Sequence, residues 1–318
     1  MALTLPEAAK LSTTDLQRGV IETFVQESSI LDRLPLLTIE GNSYAYNEEA
    51  TLPGVQFRAV NESYAESTGT VNQKSESLVI LGGDADVDKF IVRTRGNLND
   101  QRAIQTRMKI KAAAYKFQDS FFNGDVATEP KGFDGLRKRL TGGQVISAGT
   151  NGAPIVGDSA NDSHAFFDRL DELVATVPGL TSANGAIYAN RKVISKIKSA
   201  ARRLGGYEMV NESLTGKWIP TYNGIPLLDP GQTAAGADIL PQTETQGTAT
   251  DASSVYAVRF GQAEDDRAVT GLTNGGIQVT DLGELESKPS YRTRIEFYTG
   301  LAVFGGRGAA RLNGVLAK

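Results

Sequence analysis

Three aspartates at alternate positions are the residues of this sequence whose spacing comes nearest to a metal site. Asp84, Asp86 and Asp88 imitate the opening of a calcium-binding loop. Such a loop also needs Gly at its sixth position and Glu at its twelfth, where this chain has Lys89 and Arg95. The calcium interpretation therefore fails. Because alternate residues of a strand share one face, we expect the three carboxylates to mark a solvated or subunit-facing edge.

His164 is the only histidine, and it falls in the first turn of a predicted helix with Asp168 four residues further on. The sequence offers it no nucleophile to activate, since it contains neither a GxSxG motif nor a cysteine. We therefore expect a solvated histidine rather than a catalytic base.

A second acidic group, Glu264, Asp265 and Asp266, follows a predicted strand. Residues of this kind usually form an exposed, charged loop. The sequence leaves two other roles open for this loop, which are the binding of a cation and the guarding of an axial opening in an oligomer.

Signatures of phosphate binding are missing from the sequence. No GxxxxGK[ST] motif occurs, and the glycines of LTGGQ, LTNGG and FGGRG do not join a strand to a helix. Pairs of acidic residues are common, but the sequence gives no geometry that would select an acid and a base. We therefore predict no catalytic residue, no cofactor site and no metal ligand. An α+β hydrolase with an unrecognised carboxylate site is the weaker hypothesis.

The composition is that of a globular protein without clustered charge. The chain has 318 residues, a net charge of -4 and 40% hydrophobic residues, enough for one large or two ordinary domains. The acidic balance argues against a dedicated nucleic-acid binder but allows non-specific contact with DNA. The absence of cysteine suits a reducing compartment. No apolar run is long enough for a membrane span and the N-terminus lacks a signal peptide, so we expect a soluble intracellular product.

The element that organises the chain is a long helix predicted at 99–123. Asn99 or Asp100 caps its start, and Asn123 with Gly124 ends it. At 1.5 Å per residue such a helix is about 36 Å long. Two apolar stripes indicate that two faces need cover. The stripes are Ile104, Met108, Tyr115 and Phe122, and Ala103, Ile110, Ala114, Phe117 and Phe121. A cationic ridge of Arg102, Lys109 and Lys116 is expected on the solvent side.

Two segments before this helix have little core of their own. The first 40 residues read as an arm, with an amphipathic helix at 14–28 and an extended apolar run around Pro35. The following segment is polar, and we expect it to be either disordered or a long hairpin that packs on another molecule. Strands at 78–81 and 85–95 would return the chain to the long helix.

After the long helix, a second compact unit of α+β type is predicted from about 150 to 270. Its elements are a helix capped by Ser163, a strand at 186–189, a helix capped by Asn190, a hairpin turning at Asn223-Gly224 and a strand at 254–260. Strands at 277–282 and 290–304 follow. We expect the last of these to pack on the long helix, so that the second unit is inserted into a discontinuous domain.

Seven stretches of the sequence resemble capsid proteins of tailed phages. They are SSILDRLPL, LVILGGDADVDKFIVR, FFNGD, FDGLRKRL, PQTETQGTA, VTGLTNGG and YRTRIEFYTGLAVFGGRGAARL. Together with the order of the parts, they make the chain similar to major capsid proteins of the Hong Kong 97 fold. The resemblance implies an N-terminal arm at 1–40, an extended loop (E-loop) at 41–83, a P-domain at 84–148 and 273–318 with the spine helix at 99–123, and an A-domain at 149–272.

The resemblance also implies a function. The expected product is a non-enzymatic shell subunit of a tailed double-stranded DNA phage, which assembles in the host cytoplasm through pentamers and hexamers and becomes part of the virion. Its expected partners are further copies of itself, a separate scaffolding protein, a portal and a decoration protein. Some members cross-link a lysine to an asparagine. Lys74 lies near a plausible position in the loop, but the sequence does not identify its asparagine partner, so no cross-link is assigned. A cellular encapsulin shell is the near alternative.

Overall fold

A computed structural model describes residues 3–4, 28–95, 101–157, 160–205, 209–211 and 218–318. Five α-helices lie in this part of the chain: α1 Lys89–Arg95, α2 Gln101–Asn123, α3 Leu136–Arg139, α4 Ala160–Thr176 and α5 Arg191–Arg203. The predicted helix at 14–28 falls outside the described residues except for its last position, and so do the two candidate caps of the long helix.

The strands of the described residues begin with β1 Leu3–Thr4, β2 Pro35–Thr38, β3 Ser43–Thr51, β4 Thr70–Ser77, β5 Val79–Asp88, β6 Val145–Ser147, β7 Ala153–Pro154 and β8 Gly185–Tyr188. They continue with β9 Met209–Asn211, β10 Trp218–Tyr222, β11 Ile225–Leu228, β12 Glu244–Gln246, β13 Ala249–Arg259, β14 Val269–Glu284, β15 Ser290–Val303 and β16 Ala309–Leu316.

The first sheet has the strand order β1-β2-β14-β15-β5. Its centre is the antiparallel pair β14 and β15, whose register runs from Val269 opposite Val303 to Glu284 opposite Tyr291. Strand β2 lies parallel to β14, so the end of the predicted N-terminal arm, Pro35–Thr38, is part of this sheet. The long strand predicted at 290–304 is therefore confirmed, and its alternation of apolar and charged residues matches a sheet with one buried face.

The second sheet has the order β6-β16-β13-β8-β11-β10-β9, with β12 beside β13 and β7 beside β16. Its strand β16 comes from the end of the chain and pairs with both β13 and β6. The predicted domain boundary at residue 273 therefore does not coincide with the division between the two sheets. The last strand, β16, belongs to the sheet that is formed mainly by residues 145–259.

Helix α2 lies between the two sheets. Phe117 contacts Phe297 of the first sheet at a ring distance of 5.9 Å, and Phe122 contacts Tyr188 and Tyr256 of the second at 5.5 and 5.1 Å. Helices α4 and α5 cover the opposite face of the second sheet. The long helix is thus the shared core element that its length and its two apolar stripes predict.

The two stripes are not covered equally. Residues Ile110, Ala114, Phe117 and Phe121 of one stripe are buried. In the other stripe Phe122 is buried, whereas Met108 is 60% and Ile104 is 38% exposed. The expectation that both faces are covered within the subunit is therefore wrong for the N-terminal half of the helix, where no element of the described chain lies over these two side chains.

Two of the three cations in the expected cationic ridge form ion pairs within the subunit. Arg102 forms an ion pair with Asp281 at 2.6 Å and lies over the ring of Tyr291. Lys116 pairs with Glu129 at 2.6 Å. The seven-residue spacing placed the cations correctly on one side of the helix, but it could not show the carboxylates that distant segments supply.

Local capping signals explain where several elements begin. Asn190 accepts a hydrogen bond from the Lys192 backbone N at 2.9 Å, as predicted for the cap of α5. Ser163 is not a cap, because α4 already begins at Ala160 and the Ser163 hydroxyl donates to the Ile155 carbonyl at 3.0 Å. The strand predicted at 85–95 ends at Asp88, whose carboxylate accepts from the Phe90 N at 2.7 Å as α1 begins.

Candidate assembly surfaces

The polar segment after residue 40 forms a long hairpin. Strands β3 and β4 pair antiparallel from Ser43 opposite Ser77 to Thr51 opposite Thr70, and they form a two-stranded sheet of their own. Isolated two-stranded hairpins are marginal in water, so this hairpin needs contacts at its base, at its tip or at both. Of the two alternatives from the sequence, the hairpin is confirmed.

An aromatic cluster holds the base of the hairpin to the body of the subunit. Tyr46 is 3% exposed and packs edge-on against Phe304, with ring centroids 4.9 Å apart. Tyr44 contacts the same Phe304 ring at 6.1 Å. Burial, together with the nearby Glu76 carboxylate, raises the pKa of Tyr46 well above its usual value, so the phenol stays neutral.

A partly buried ion pair adds a polar anchor to the same base. Arg139 of α3 donates from Nη2 to Glu76 Oε2 of β4 at 2.8 Å, and from Nη1 to the other carboxylate oxygen. Its Nε donates to the Asp134 carbonyl at 2.6 Å, so the guanidinium is held in place. This bidentate pair ties the returning strand of the hairpin to the segment that follows α2.

The acidic loop lies against this base. Glu264 accepts hydrogen bonds from the Tyr44 hydroxyl at 3.4 Å and from the Asn47 backbone N at 3.2 Å. Asp266 accepts from the backbone N atoms of Gln262 and Ala263 at 2.7 and 3.1 Å and so stabilises the turn. Two of the three carboxylates therefore have hydrogen-bond partners within the subunit, a role that the sequence interpretation of an exposed loop missed.

The tip of the hairpin, residues 52–69, presents apolar side chains to solvent. Phe57 is fully exposed, Val55 is 96% exposed and Val60 is 89% exposed. The polar contacts of the tip are local, such as the hydrogen bond from Gly54 N to Ser67 Oγ at 2.7 Å. Exposed apolar side chains grouped at the end of a protruding hairpin are typical of a surface that another molecule covers.

A second exposed apolar surface lies near the start of α2. Phe90 of α1 is 72% exposed, and α1 packs beside α2, where Met108 is uncovered. With the hairpin tip, this surface gives the subunit two separate apolar patches.

The aspartates of β5 do lie on the edge strand of the first sheet, but the structure pairs them within the subunit. Asp84 accepts from Arg294 at 2.8 and 3.0 Å, and Asp86 accepts from Arg292 at 2.7 Å through both oxygens. Lys288 also donates to Asp86. These hydrogen bonds lower the pKa of both carboxyl groups. The ladder of ion pairs replaces the free carboxylate edge that the spacing indicated.

Comparison with known proteins agrees with this arrangement. Residues 13–157 match the model of the family described as Major capsid protein GP7. The SrpI encapsulin of Synechococcus elongatus PCC 7942 is 19% identical, with a TM-score of 0.66, over 100% of this chain and 98% of that chain. The capsid of the native GTA particle is 13% identical, with a TM-score of 0.64, over 91% of this chain and 90% of that chain. The protein of Mycobacterium phage Bobi is 13% identical, with a TM-score of 0.57, over 90% and 89%. No curated protein matches the sequence.

The fold of the chain is that of these capsid and encapsulin proteins, the Hong Kong 97-like fold. The long α2 and the hairpin of β3 and β4 lie where the resemblance places the spine helix and the E-loop, and these two names are used for them below. The structure thus confirms the fold class that the resemblance implied.

The remaining residues that the sequence singled out are not brought together into one site in the described part of the chain. His164 and Asp168 are both exposed on α4. Lys74 forms an ion pair with Glu48 at 2.6 Å within the hairpin. In the residues that the structure describes, no three His, Asp or Glu side chains are grouped as a metal site requires. None of the helices in the same part of the chain has the length and apolarity that crossing a membrane requires.

Proposed function

We propose that this protein builds the icosahedral head of a tailed double-stranded DNA phage, assembling through pentamers and hexamers in the host cytoplasm into a shell around the genome. The observation that carries the proposal is the E-loop, whose base is fixed by apolar and ionic contacts while its apolar tip has no cover from the described subunit. A neighbouring subunit would supply that cover.

The energetics of the tip support assembly over a solitary subunit. Full burial of side chains such as Val55, Phe57 and Val60 stabilises an interface by roughly 1.5–3 kcal/mol each. Part of this gain offsets the loss of translational and rotational freedom on association. Because the hairpin is already formed and anchored, little further ordering of its strands is needed. Many weak contacts of this kind, repeated around a closed shell, give a stable particle.

The partners of the shell follow from the same proposal. A separate scaffolding protein, a portal and a decoration protein would complete the head, and packaged DNA would touch the inner wall without sequence preference. The net charge of -4 supports weak contact with DNA, because a strongly cationic wall would retain the duplex during packaging.

An encapsulin-type compartment is the second candidate, since the Synechococcus encapsulin matches over the full length of this chain. The two functions differ in what the shell contains. Particles purified after co-expression with neighbouring genes would contain double-stranded DNA in the first case and a protein cargo in the second.

Electron microscopy of the purified, expressed protein tests the proposal directly. We expect closed particles with pentameric and hexameric units, either from the protein alone or after co-expression with a scaffolding protein. A chain that stays monomeric under all these conditions, including low and high salt, would contradict the proposed function.

A further inference from the structure

Helix α5 carries the largest net positive charge of the helices that the structure describes. It contains six basic residues and no acidic one, in a chain whose net charge is -4. Arg191 pairs with Asp229 at 3.2 Å. The other five form no ion pair with any described residue: Lys192, Lys196, Lys198, Arg202 and Arg203. Elsewhere many cations are paired within the subunit, including Arg102, Arg139, Arg292 and Arg294.

Helix α4 carries the opposite charge on its outer face. Asp168, Asp171 and Glu172 are exposed, and Arg169 is the only lysine or arginine of the helix. Arg169 pairs with Glu172 at 2.7 Å, which leaves an excess of negative charge.

The two helices form one layer on the same face of the second sheet. Leu170 and Leu173 of α4 and Val193 and Ile197 of α5 belong to one buried cluster with the strands beneath them. In the described part of the chain, a cleft of about 450 Å³ lies between Phe167 of α4, the C-terminal half of α5 and strand β10. The outer surface is therefore bipolar, with an apolar cleft beside a negative and a positive helix face.

The neighbouring charges select the kind of partner. Helices α4 and α5 border the same cleft, so a partner that covers the cleft meets the charges of both helices. A uniformly negative DNA duplex seated on α5 would be repelled by the carboxylates of α4. A partner that also carries both signs meets no such penalty, and a second copy of this chain is such a partner.

We propose that the cationic face of α5 in one subunit docks against the acidic face of α4 in the next subunit around the capsomer. Such a contact is heterologous, because two different patches of identical subunits meet, and repetition by rotation closes a ring. The opposite charges fix which faces meet, and the apolar rim of the cleft is covered. This inference rests on the proposed function, since it assigns the contact within the shell.

Charge reversal with rescue tests the contact. The first variant combines Lys192→Glu with Arg202→Glu on α5, and the second combines Asp168→Lys with Glu172→Lys on α4. Each places like charges across the contact, so we expect at least tenfold fewer particles by sedimentation and microscopy. The third variant carries all four substitutions, which restores opposite charges, and we expect it to recover most of the particle yield.

A matched control separates this effect from a general change in charge. Lys131→Glu with Lys138→Glu changes the charge by the same amount as the α5 variant, on exposed residues outside the two helices. We expect normal particles from it. The melting temperatures of all variants should lie close to that of the wild type, because substitutions at exposed positions usually change the free energy of unfolding by about 0.5 kcal/mol or less.

Normal particles from both single-helix variants, or no recovery in the four-substitution variant, would overturn the inference. So would an α5 variant that assembles normally but retains less DNA, since α5 would then contact the genome. If the wild type forms no particles, the proposed function fails separately. Sedimentation at low salt then tests the contact by itself: association of the wild type but not of the α5 variant supports it, and monomers in both contradict it.

Discussion

At the scale of single residues, burial along α2 separates positions that the helical pattern treats as equal. Ile110 is 3% exposed and Phe117 is fully buried, whereas Met108 on the same helix is 60% exposed. The heptad-like spacing correctly marked all three as apolar positions. It could not show that Met108 stays exposed, because the exposure of a side chain depends on where distant parts of the chain lie.

We predict that Ile110→Asp or Phe117→Asp abolishes particle formation by preventing folding. A carboxylate in either position would have no partner in the aromatic core formed with Phe133 and Phe297, and the cost should exceed about 3 kcal/mol. The measurement is urea unfolding together with particle yield. Met108→Asp is the control and should cost less than about 1 kcal/mol. If the Phe117→Asp variant folded and formed particles, the assignment of the buried face of α2 would be wrong.

The ladder of ion pairs on β5 and β15 should make stability depend on pH only in acid. Hydrogen bonds from Arg292 and Lys288 lower the pKa of Asp86, so the unfolded chain takes up a proton first as the pH falls. The contribution is complete above the unfolded pKa of about 3.9 and decreases as the pH falls towards the lower folded pKa. We expect the melting temperature of Asp86→Asn to fall less steeply below about pH 4 than that of the wild type. If Asp86→Asn showed the same slope as the wild type, this contribution of Asp86 would be contradicted.

At the scale of elements, the E-loop is a rigid arm because its base is anchored. Its two strands are paired along their length. At the base, Tyr46 of β3 packs against Phe304, and Glu76 of β4 forms an ion pair with Arg139. The sequence identified the segment by its lack of core residues. It could not identify Arg139 as the anchor, which is 63 positions from Glu76 and contacts it only in the fold.

We predict that Glu76→Gln loosens the hairpin more than it destabilises the subunit. The substitution removes a charge-assisted, partly buried pair, which typically contributes about 1.5–3 kcal/mol. Amide hydrogen exchange in β3 and β4 should accelerate, with little change in α2 and β15. Lys74→Gln breaks the more exposed pair with Glu48 and should have a much smaller effect. If amide hydrogen exchange in the hairpin were equally fast in Glu76→Gln and Lys74→Gln, Glu76 would not have this anchoring role.

At the scale of the whole molecule, the subunit is divided between a covered interior and surfaces that are left for neighbours. The spine helix, both sheets and helices α4 and α5 form its core, whereas the E-loop tip and the surface near α1 remain apolar and exposed. A shell protein needs both kinds of surface, because the surfaces that join subunits in a particle must stay exposed after the subunit has folded.

We predict that the triple variant Val55→Ser, Phe57→Ser and Val60→Ser folds normally but does not form particles. All three side chains are at least 89% exposed, so their removal costs the isolated subunit little, while the interface loses its apolar contacts. Circular dichroism and sedimentation distinguish the two effects. Val126→Ser, at a 40% exposed site outside the hairpin, is the control. Normal particle yield from the triple variant would remove the tip from the assembly contacts.

The sequence by itself determined the features that depend on local physics. The C-terminal end of the spine helix, the Asn190 cap and the Asn223-Gly224 turn all follow from side chains within a few positions of one another. With the resembling stretches, these elements were enough to predict the Hong Kong 97 fold.

Only the tertiary structure decided which distant groups meet. It paired Asp84 and Asp86 with arginines about 200 positions away, placed the last strand β16 in the second sheet and left Met108 uncovered. It also brought α4 and α5 side by side as one bipolar layer. Periodicity and capping signals report on neighbours along the chain, and partners chosen through packing leave no comparable signal in a single sequence.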